Sequence, residues 1–326
     1  MRLRRSSLAC LIALAWSCAP ALAQGWPNRF VTLVVPFGAG SGSDTVSRII
    51  STRMSEELGQ QVIIENVGGA GGIIGVGRVA KAAPDGYQMV LGAVDTFAQS
   101  QTLLKTPPYN SATDFAPVGL AMEQPLVVIT RKELPAGTLQ EFAAYMKANH
   151  GRMQFGSGGV GSGPHLACTQ LTVIFGAPVA HVPYRGSAPA IQDMIAGNLD
   201  FYCPLAAGVM GLIENKSVKA LAILTRERSP LLPELPTAVE QGVNGIDGTY
   251  WIGFFLPKGT PEPIVTKLGA AINAALDTPA VQARLREVGT TVVAPERRSP
   301  AYLQKFVETE IASWATTIKA SGIKLD

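Results

Sequence analysis

Two short stretches carry the residue types from which an anion site is made. The first, "VVPFGAGSGSD", runs from Val34 to Asp44: an apolar run turns through Gly38, Gly40 and Gly42 and enters a helical pattern. Glycine turns let main-chain N–H groups converge, and a helix start adds the positive end of its dipole. Ser41 and Ser43 add hydroxyl donors, with Phe37, Gly38, Ala39 and Gly40 along the approach. The turn has no lysine, and its spacing matches neither a phosphate loop nor a dinucleotide fingerprint. The chemistry it suits is capture of a carboxylate by peptide donors. The structural alternative is a plain strand-to-helix turn in which Asp44 stabilises its own helix.

The second stretch, "MQFGSGGVGSGPHLACTQ", repeats the construction with Ser157, Gly158, Gly161 and Ser162 ahead of a helix entered at Pro164-His165. Proline suits the first helical turn, where its missing N–H costs little. Two such starts, one per lobe, would grip both ends of a short dicarboxylate. His165 with Ser157 or Ser162 also offers a hydrolase pair. However, "GVGSG" places its serine wrongly for a nucleophile elbow, and no acid is identified to orient the histidine. Hydrogen bonding to a ligand and simple helix-start packing are the other readings of His165.

Three further segments present polar groups. In "VPYRGS", Tyr184 and Arg185 end a strand, and Arg185 can meet a carboxylate through two parallel hydrogen bonds or pair internally with Asp193 or Asp200. "GAVDTFAQ" holds Asp95 and Thr96, and "FYCPLAAG" holds Cys203; both fall at predicted strand ends, where open α/β sheets bind ligands. Asp95 can pair with a ligand amine or hydroxyl, limit ligand length by repulsion, or cap the following helix. The glycines of "GGAGGIIGVGRVAKAAPDGY" read as packing at a helix start.

These segments need elements to hold them. Ten apolar runs of strand length recur: "RFVTLVVPF", "QQVIIENV", "YQMVLGA", "LVVIT", "RMQFGSG", "PVAHVPY", "LDFYCPL", "VKALAILT", "YWIGFFLP" and "TTVVAP". They do not alternate strictly with polar residues, and helical patterns lie between most of them, which predicts α/β layers with both sheet faces covered. In the first helix Val46, Ile49, Ile50, Met54 and Leu58 share a stripe, Ser41 or Ser43 caps the start, and Gly59 ends it. The last helix begins at Ser299-Pro300 and runs to about 321.

The N-terminus has three arginines, a short apolar run and Ala21-Leu22-Ala23, the pattern of a secretory signal cleaved after residue 23. Removing residues 1–23 takes three of the 27 Lys+Arg and none of the 24 Asp+Glu, leaving 24 − 24 = 0 net charge. That balance gives no basis for nucleic acid or an anionic membrane as partner. Cys168 and Cys203 remain in an oxidising setting, as one disulfide or two buried thiols; no Cys/His spacing suggests a metal, and no cofactor is expected. About three hundred mature residues predict two lobes. Crossings at "APVGLAMEQPLVV" and "SPLLPELPTAVEQG" divide them into a discontinuous lobe, 24–122 plus 238–326, and an inserted lobe, 123–237, with a ligand cleft between.

The chain resembles the periplasmic solute-binding receptors of tripartite tricarboxylate transporters, the Bug proteins. The resemblance rests on "VVPFGAGSGSDTVSRIIS", "LGQQVIIENVGGAGGIIGVGRVAKAAPDGYQMVLG", "DFAPVGL", "HVPYRGSAPAIQDMIAGNLDF", "KALAILTRERSPLLPELPTAVEQG" and "FLPKGTPEPIVTKL", in that order over essentially the whole mature chain. It implies a two-lobed Venus-flytrap receptor, without enzymatic activity, that binds a small organic carboxylate as a monomer in the periplasm. It also implies delivery to a two-subunit membrane permease; an extracytoplasmic sensor domain is a further candidate partner. The family pocket is implied at Phe37 to Asp44 and Ser157 to His165, with the Tyr184-Arg185 loop beside them. Many members carry prolines and paired glycines where Gly38-Ala39-Gly40-Ser41 stand here, which keeps the backbone donors. Many also carry Asp-Asn near the place of Cys203-Pro204, a change that removes a polar contact at the ligand's far end.

Overall fold

The computed structural model describes residues 25–230 and 232–321, so the predicted secretion signal at 1–23 lies outside the described residues. Among the described residues, eleven strands form two sheets. The first holds β1 (Val31–Val35), β2 (Val62–Asn66), β3 (Gln88–Ala93), β4 (Phe115–Pro125), β10 (Thr249–Pro257) and β11 (Thr291–Val292), in the order β11-β4-β10-β3-β1-β2. The second holds β5 (Val127–Arg131), β6 (Gln154–Ser157), β7 (Ala180–Pro183), β8 (Phe201–Tyr202) and β9 (Val218–Ile223), in the order β7-β6-β8-β5-β9. Each sheet has a parallel half, β2-β1-β3 and β7-β6-β8, joined to an antiparallel half where the chain changes sheets. The changes fall between Pro125 and Val127 and between Ile223 and Thr249. All ten apolar runs are strands. The eleventh strand, β4, is the stretch read as a crossing, and it does both jobs: it pairs along its length with β10 before entering the second lobe.

The helices on these sheets are α1 (Gly42–Leu58), α2 (Ile73–Ala80), α3 (Leu139–Asn149), α4 (Gly163–Ile174), α5 (Ser187–Ile195), α6 (Glu262–Asp277), α7 (Pro279–Glu287) and α8 (Pro300–Ser321). Parallel strands need covering on both faces, and β1 shows the result: Val31, Leu33, Val34 and Val35 have no solvent exposure. The α1 stripe buries Val46, Ile50, Met54 and Leu58 and leaves Ile49 partly buried against the core. Fully burying a side chain of this size contributes roughly 1.5–3 kcal/mol. Ser41 caps α1 through its hydroxyl, and Gly59 closes the helix in the left-handed region at φ 67°. In the second lobe a disulfide joins Cys168 of α4 to Cys203 after β8, with Cα atoms 5.6 Å apart.

The architecture is two-lobed α/β, and the lobes touch along a seam lined by glycines. A Cβ on Gly71 would lie 2.5 Å from the Val160 carbonyl, and one on Gly38 would lie 2.9 Å from the Arg185 carbonyl. A Cβ on Gly42 would come within 2.7 Å of Leu205 Cβ. Backbone from one lobe approaches backbone from the other only because these positions carry no side chain.

Candidate functional site

Both glycine turns follow the middle strand of a parallel half, β1 in one lobe and β6 in the other, and open into a helix at the strand's C-terminal end. Their internal bonding is matched. In the first, Asp44 N–H donates to Ser41 Oγ at 3.2 Å and Gly40 N–H donates to Asp44 Oδ2 at 2.9 Å. In the second, His165 N–H donates to Ser162 Oγ at 3.4 Å and Gly161 N–H donates to His165 Nδ1 at 3.1 Å. Gly40 and Gly161 have φ of +77° and +83°, a region that suits glycine.

The turns differ in what remains open. At α1 no described residue accepts from the N–H groups of Gly42 and Ser43. At α4, Pro164 has no N–H and His165 N–H is taken by Ser162. The Gly163 N–H donates to Asp95 Oδ2 at 2.9 Å, across the seam. Asp95 also accepts from Thr96 N–H at 2.8 Å and from the Tyr250 hydroxyl at 2.9 and 3.0 Å. It is 1% exposed, and burial pushes its carboxyl up to about 6, against the opposing pull of the Gly163, Tyr250 and Thr96 donors. The pairing of α1 with α4 as two open anion sites is therefore corrected: a protein carboxylate fills the α4 start. Asp95 does serve its neighbour Thr96, yet its main partners lie far away in sequence.

The second lobe has another helix start with unused donors. Gly186 precedes α5 and offers no side chain to cap it, and no described residue accepts from Ser187 or Ala188 N–H. This start faces α1: a Cβ on Gly40 would lie 3.6 Å from Ala188 Cβ, and Gly38 packs on Gly186. Gly158 lies alongside, with an added Cβ 3.7 Å from Gly186 Cα and Ser187 Oγ. Arg185 stands at the edge, exposed, with no ion pair among the described residues. Its two proposed internal partners are engaged elsewhere, since Asp193 accepts from Tyr184 Oη at 2.5 Å and Asp200 pairs with Arg131 at 3.2 Å.

The other expected residues fall as follows. Phe37 is buried, its carbonyl accepting from Asn66 Nδ2 at 3.0 Å, while Ala39 and Gly40 are exposed at the seam. Asp44 faces inward to its own turn. Burial works to raise its carboxyl, but Arg48, Gly40 N–H and Asn66 together outweigh that and hold it below the usual range. Ser43 is buried, its hydroxyl beside the Tyr250 phenol. Thr96 is buried, and its hydroxyl bonds the Ala93 backbone. Cys203 is corrected: its sulfur is bonded to Cys168 and fully buried, so it has no thiol to offer a ligand.

The serine–histidine chemistry is also rearranged. Ser157 Oγ lies 2.6 Å from Nε2 of His181, a residue not singled out in the sequence, and not beside His165. His165 stacks on His181 at 4.0 Å, and His181 on Phe155 at 4.9 Å. Burial lowers His181 to about 4; burial and then the His181 charge lower His165 to about 3, so both rings are neutral near pH 7. The Ser157 hydroxyl lies within hydrogen-bond reach of both His181 Nε2 and, at 3.1 Å, the Gly159 carbonyl, so its single proton serves one of two acceptors or its oxygen is met by the His181 N–H. Ser157 has no exposure and Ser162 1%; the Ser162 hydroxyl is spent on Gly159. No carboxylate bonds either histidine, and no cluster of three metal-ligating side chains occurs, among the described residues.

Known proteins share this fold and much of the sequence. Residues 46–323 match the tripartite tricarboxylate transporter family receptor. The fold superposes on the periplasmic binding protein BugD with a TM-score of 0.89 at 36% identity, covering 92% of this chain and 99% of that one. MatC of Rhodopseudomonas palustris, solved with bound malate, gives 0.87 at 38% identity over 90% of this chain and 100% of its own. Rpa4515 of R. palustris, solved with adipate, gives 0.86 at 34% over 92% and 99%. With fold and sequence in agreement over nearly the whole length, this chain belongs to the tripartite tricarboxylate transporter receptors, a family of periplasmic solute-binding proteins that includes the Bug proteins.

Proposed function

We propose that this protein captures a small dicarboxylate between its lobes, without turnover, and hands it to a two-subunit membrane permease after export to the periplasm. One observation carries the reading: the α1 and α5 starts, on different lobes, face each other with unused N–H groups and an unpaired Arg185 beside them. One carboxylate is held at Gly42 and Ser43, the other at Ser187 and Ala188 with Arg185 at the rim. Helix starts and guanidinium donors both favour anions, and charge-assisted hydrogen bonds are about twice as strong as neutral ones. Micromolar capture needs about −8 kcal/mol net, within reach of several such bonds in a site shut from water. Two related receptors solved with malate and with adipate support a carboxylate ligand.

The test is calorimetry of the mature protein against a series of aliphatic and aromatic dicarboxylates, with mass spectrometry of any co-purified acid. Saturable binding of at least one dicarboxylate, weakened by Arg185→Gln, is expected. Absence of binding across the series, with an ester or amide consumed instead, overturns the reading. Delivery is tested separately by ligand-dependent capture of the permease subunits, and sensing by ligand-dependent capture of a sensor's extracytoplasmic domain.

A further inference from the structure

Buried polar groups almost always find partners, yet a buried amide at the seam has none among the described residues. It is Gln124, 1% exposed, with both Oε1 and Nε2 unmatched. Gln124 sits on β4 opposite Tyr250 of β10, whose phenol also neighbours Ser43. Its Oε1 lies 3.2 Å from where a Cβ on Gly42 would stand, and Leu205 of the other lobe covers the same spot. The amide thus abuts the α1 start, whose Gly42 and Ser43 N–H groups are also unused.

A side-chain amide presents an acceptor and a donor side by side, and the group that satisfies both is a hydroxyl. A carboxylate only accepts, which would leave Oε1 facing lone pairs, and the buried Asp95 charge next to Tyr250 opposes it further. An ammonium only donates, which would leave Nε2 unmatched. We propose that Gln124 is a specificity-determining residue that reads a hydroxyl next to the carboxylate held at the α1 start. The preferred ligand is then a 2-hydroxydicarboxylate. This rests on the dicarboxylate reading above and adds to it the identity of the neutral group.

The test is calorimetry with matched pairs: succinate with 2-hydroxysuccinate, glutarate with 2-hydroxyglutarate, and adipate with 2-hydroxyadipate. The 2-amino analogue of the best pair is added. In the pair whose length fits, the hydroxy acid is expected to bind about tenfold tighter than the plain acid, the value of one well-placed neutral hydrogen bond. Gln124→Met, which keeps the volume, and Gln124→Glu, which keeps the shape but only accepts when ionised, should each bring that ratio below about threefold. Thermal unfolding identifies a variant that does not fold, and the remaining variant and the wild-type ratio then decide. Plain and hydroxy acids binding equally, an amino acid binding as well as the hydroxy acid, or a ratio that survives both substitutions overturns the inference and leaves dicarboxylate capture standing. Binding by none of these acids overturns the inference, and absence of binding across the aromatic dicarboxylates as well overturns both.

Discussion

The turn Gly40-Ser41-Gly42-Ser43-Asp44 and the turn Gly161-Ser162-Gly163-Pro164-His165 are built to one plan and put to different use. In each a left-handed glycine leads to a serine cap, and the third helical residue reaches back to the glycine N–H. In the first, Asp44 does this as an ionised acid supported by Arg48 and Asn66, and two N–H groups stay open. In the second, a neutral His165 does it, Pro164 deletes one donor, and Asp95 of the other lobe occupies the last. A shared motif therefore specifies local geometry, and the residue opposite it across the seam decides whether it faces a ligand or fastens the lobes.

Removing what is special to the second turn should have the largest effect. The disulfide anchors α4 one turn beyond its start and closes a loop of 35 residues, whereas α1 has no such tie. Cys168→Ala with Cys203→Ala is expected to cost about 4 kcal/mol in denaturant unfolding on the chain-entropy relation. A cost near zero would show that packing alone positions α4.

The two acids should respond oppositely to pH. Asp95 titrates near 6 in the folded state against an ordinary 3.8. The folded state therefore holds that proton between these values, and stability from this group falls as pH rises from 3.8 to 6. Wild type should lose up to about 3 kcal/mol relative to Asp95→Asn across that window. Asp44 is held below its ordinary value, so its contribution is present above 3.8 and lost as pH falls through the folded value; wild type should lose ground to Asp44→Asn on acidification. Parallel slopes for the two variants would break the comparison.

Arg185 distinguishes the open start from the filled one. Arg185→Gln should weaken dicarboxylate binding by about 2 kcal/mol, the scale of a hydrogen bond to a charged group, with little change in unfolding midpoint. The matched caps should show the smallest effects: Ser41→Ala and Ser162→Ala are each expected to cost about 1 kcal/mol in stability. Unequal costs would mean that the two turns share less than their bonding suggests.

Much of this was legible in the chain. Ten apolar runs named ten strands, and Ser41, Gly59 and the stripe from Val46 to Leu58 described α1 correctly. β4 was harder because Pro117, Gly119, Glu123 and Gln124 interrupt its apolar run, as a strand that also changes lobes must. Both glycine turns were evident, but the closure of the second depends on Asp95, 68 residues from Gly163 along the chain, and contacts across a seam leave no local pattern. The α5 start does carry a signal in the sequence: Gly186 cannot cap a helix with a side chain, so its first N–H groups need some other acceptor. Gln124 and Tyr250 carry no local signal, because a polar residue inside a strand acquires meaning only from partners that the fold brings to it.

The central claim is that the ligand's charged ends are held by the α1 and α5 starts while the α4 start stays with Asp95. Amide-resolved NMR of 15N-labelled mature protein, titrated with the tightest-binding dicarboxylate, tests it most directly. Large downfield shifts at Gly42, Ser43, Ser187 and Ala188, with Gly163 nearly unmoved, are the predicted result. A Gly163 amide that leaves Asp95 and shifts with ligand while those four stay in place would contradict it.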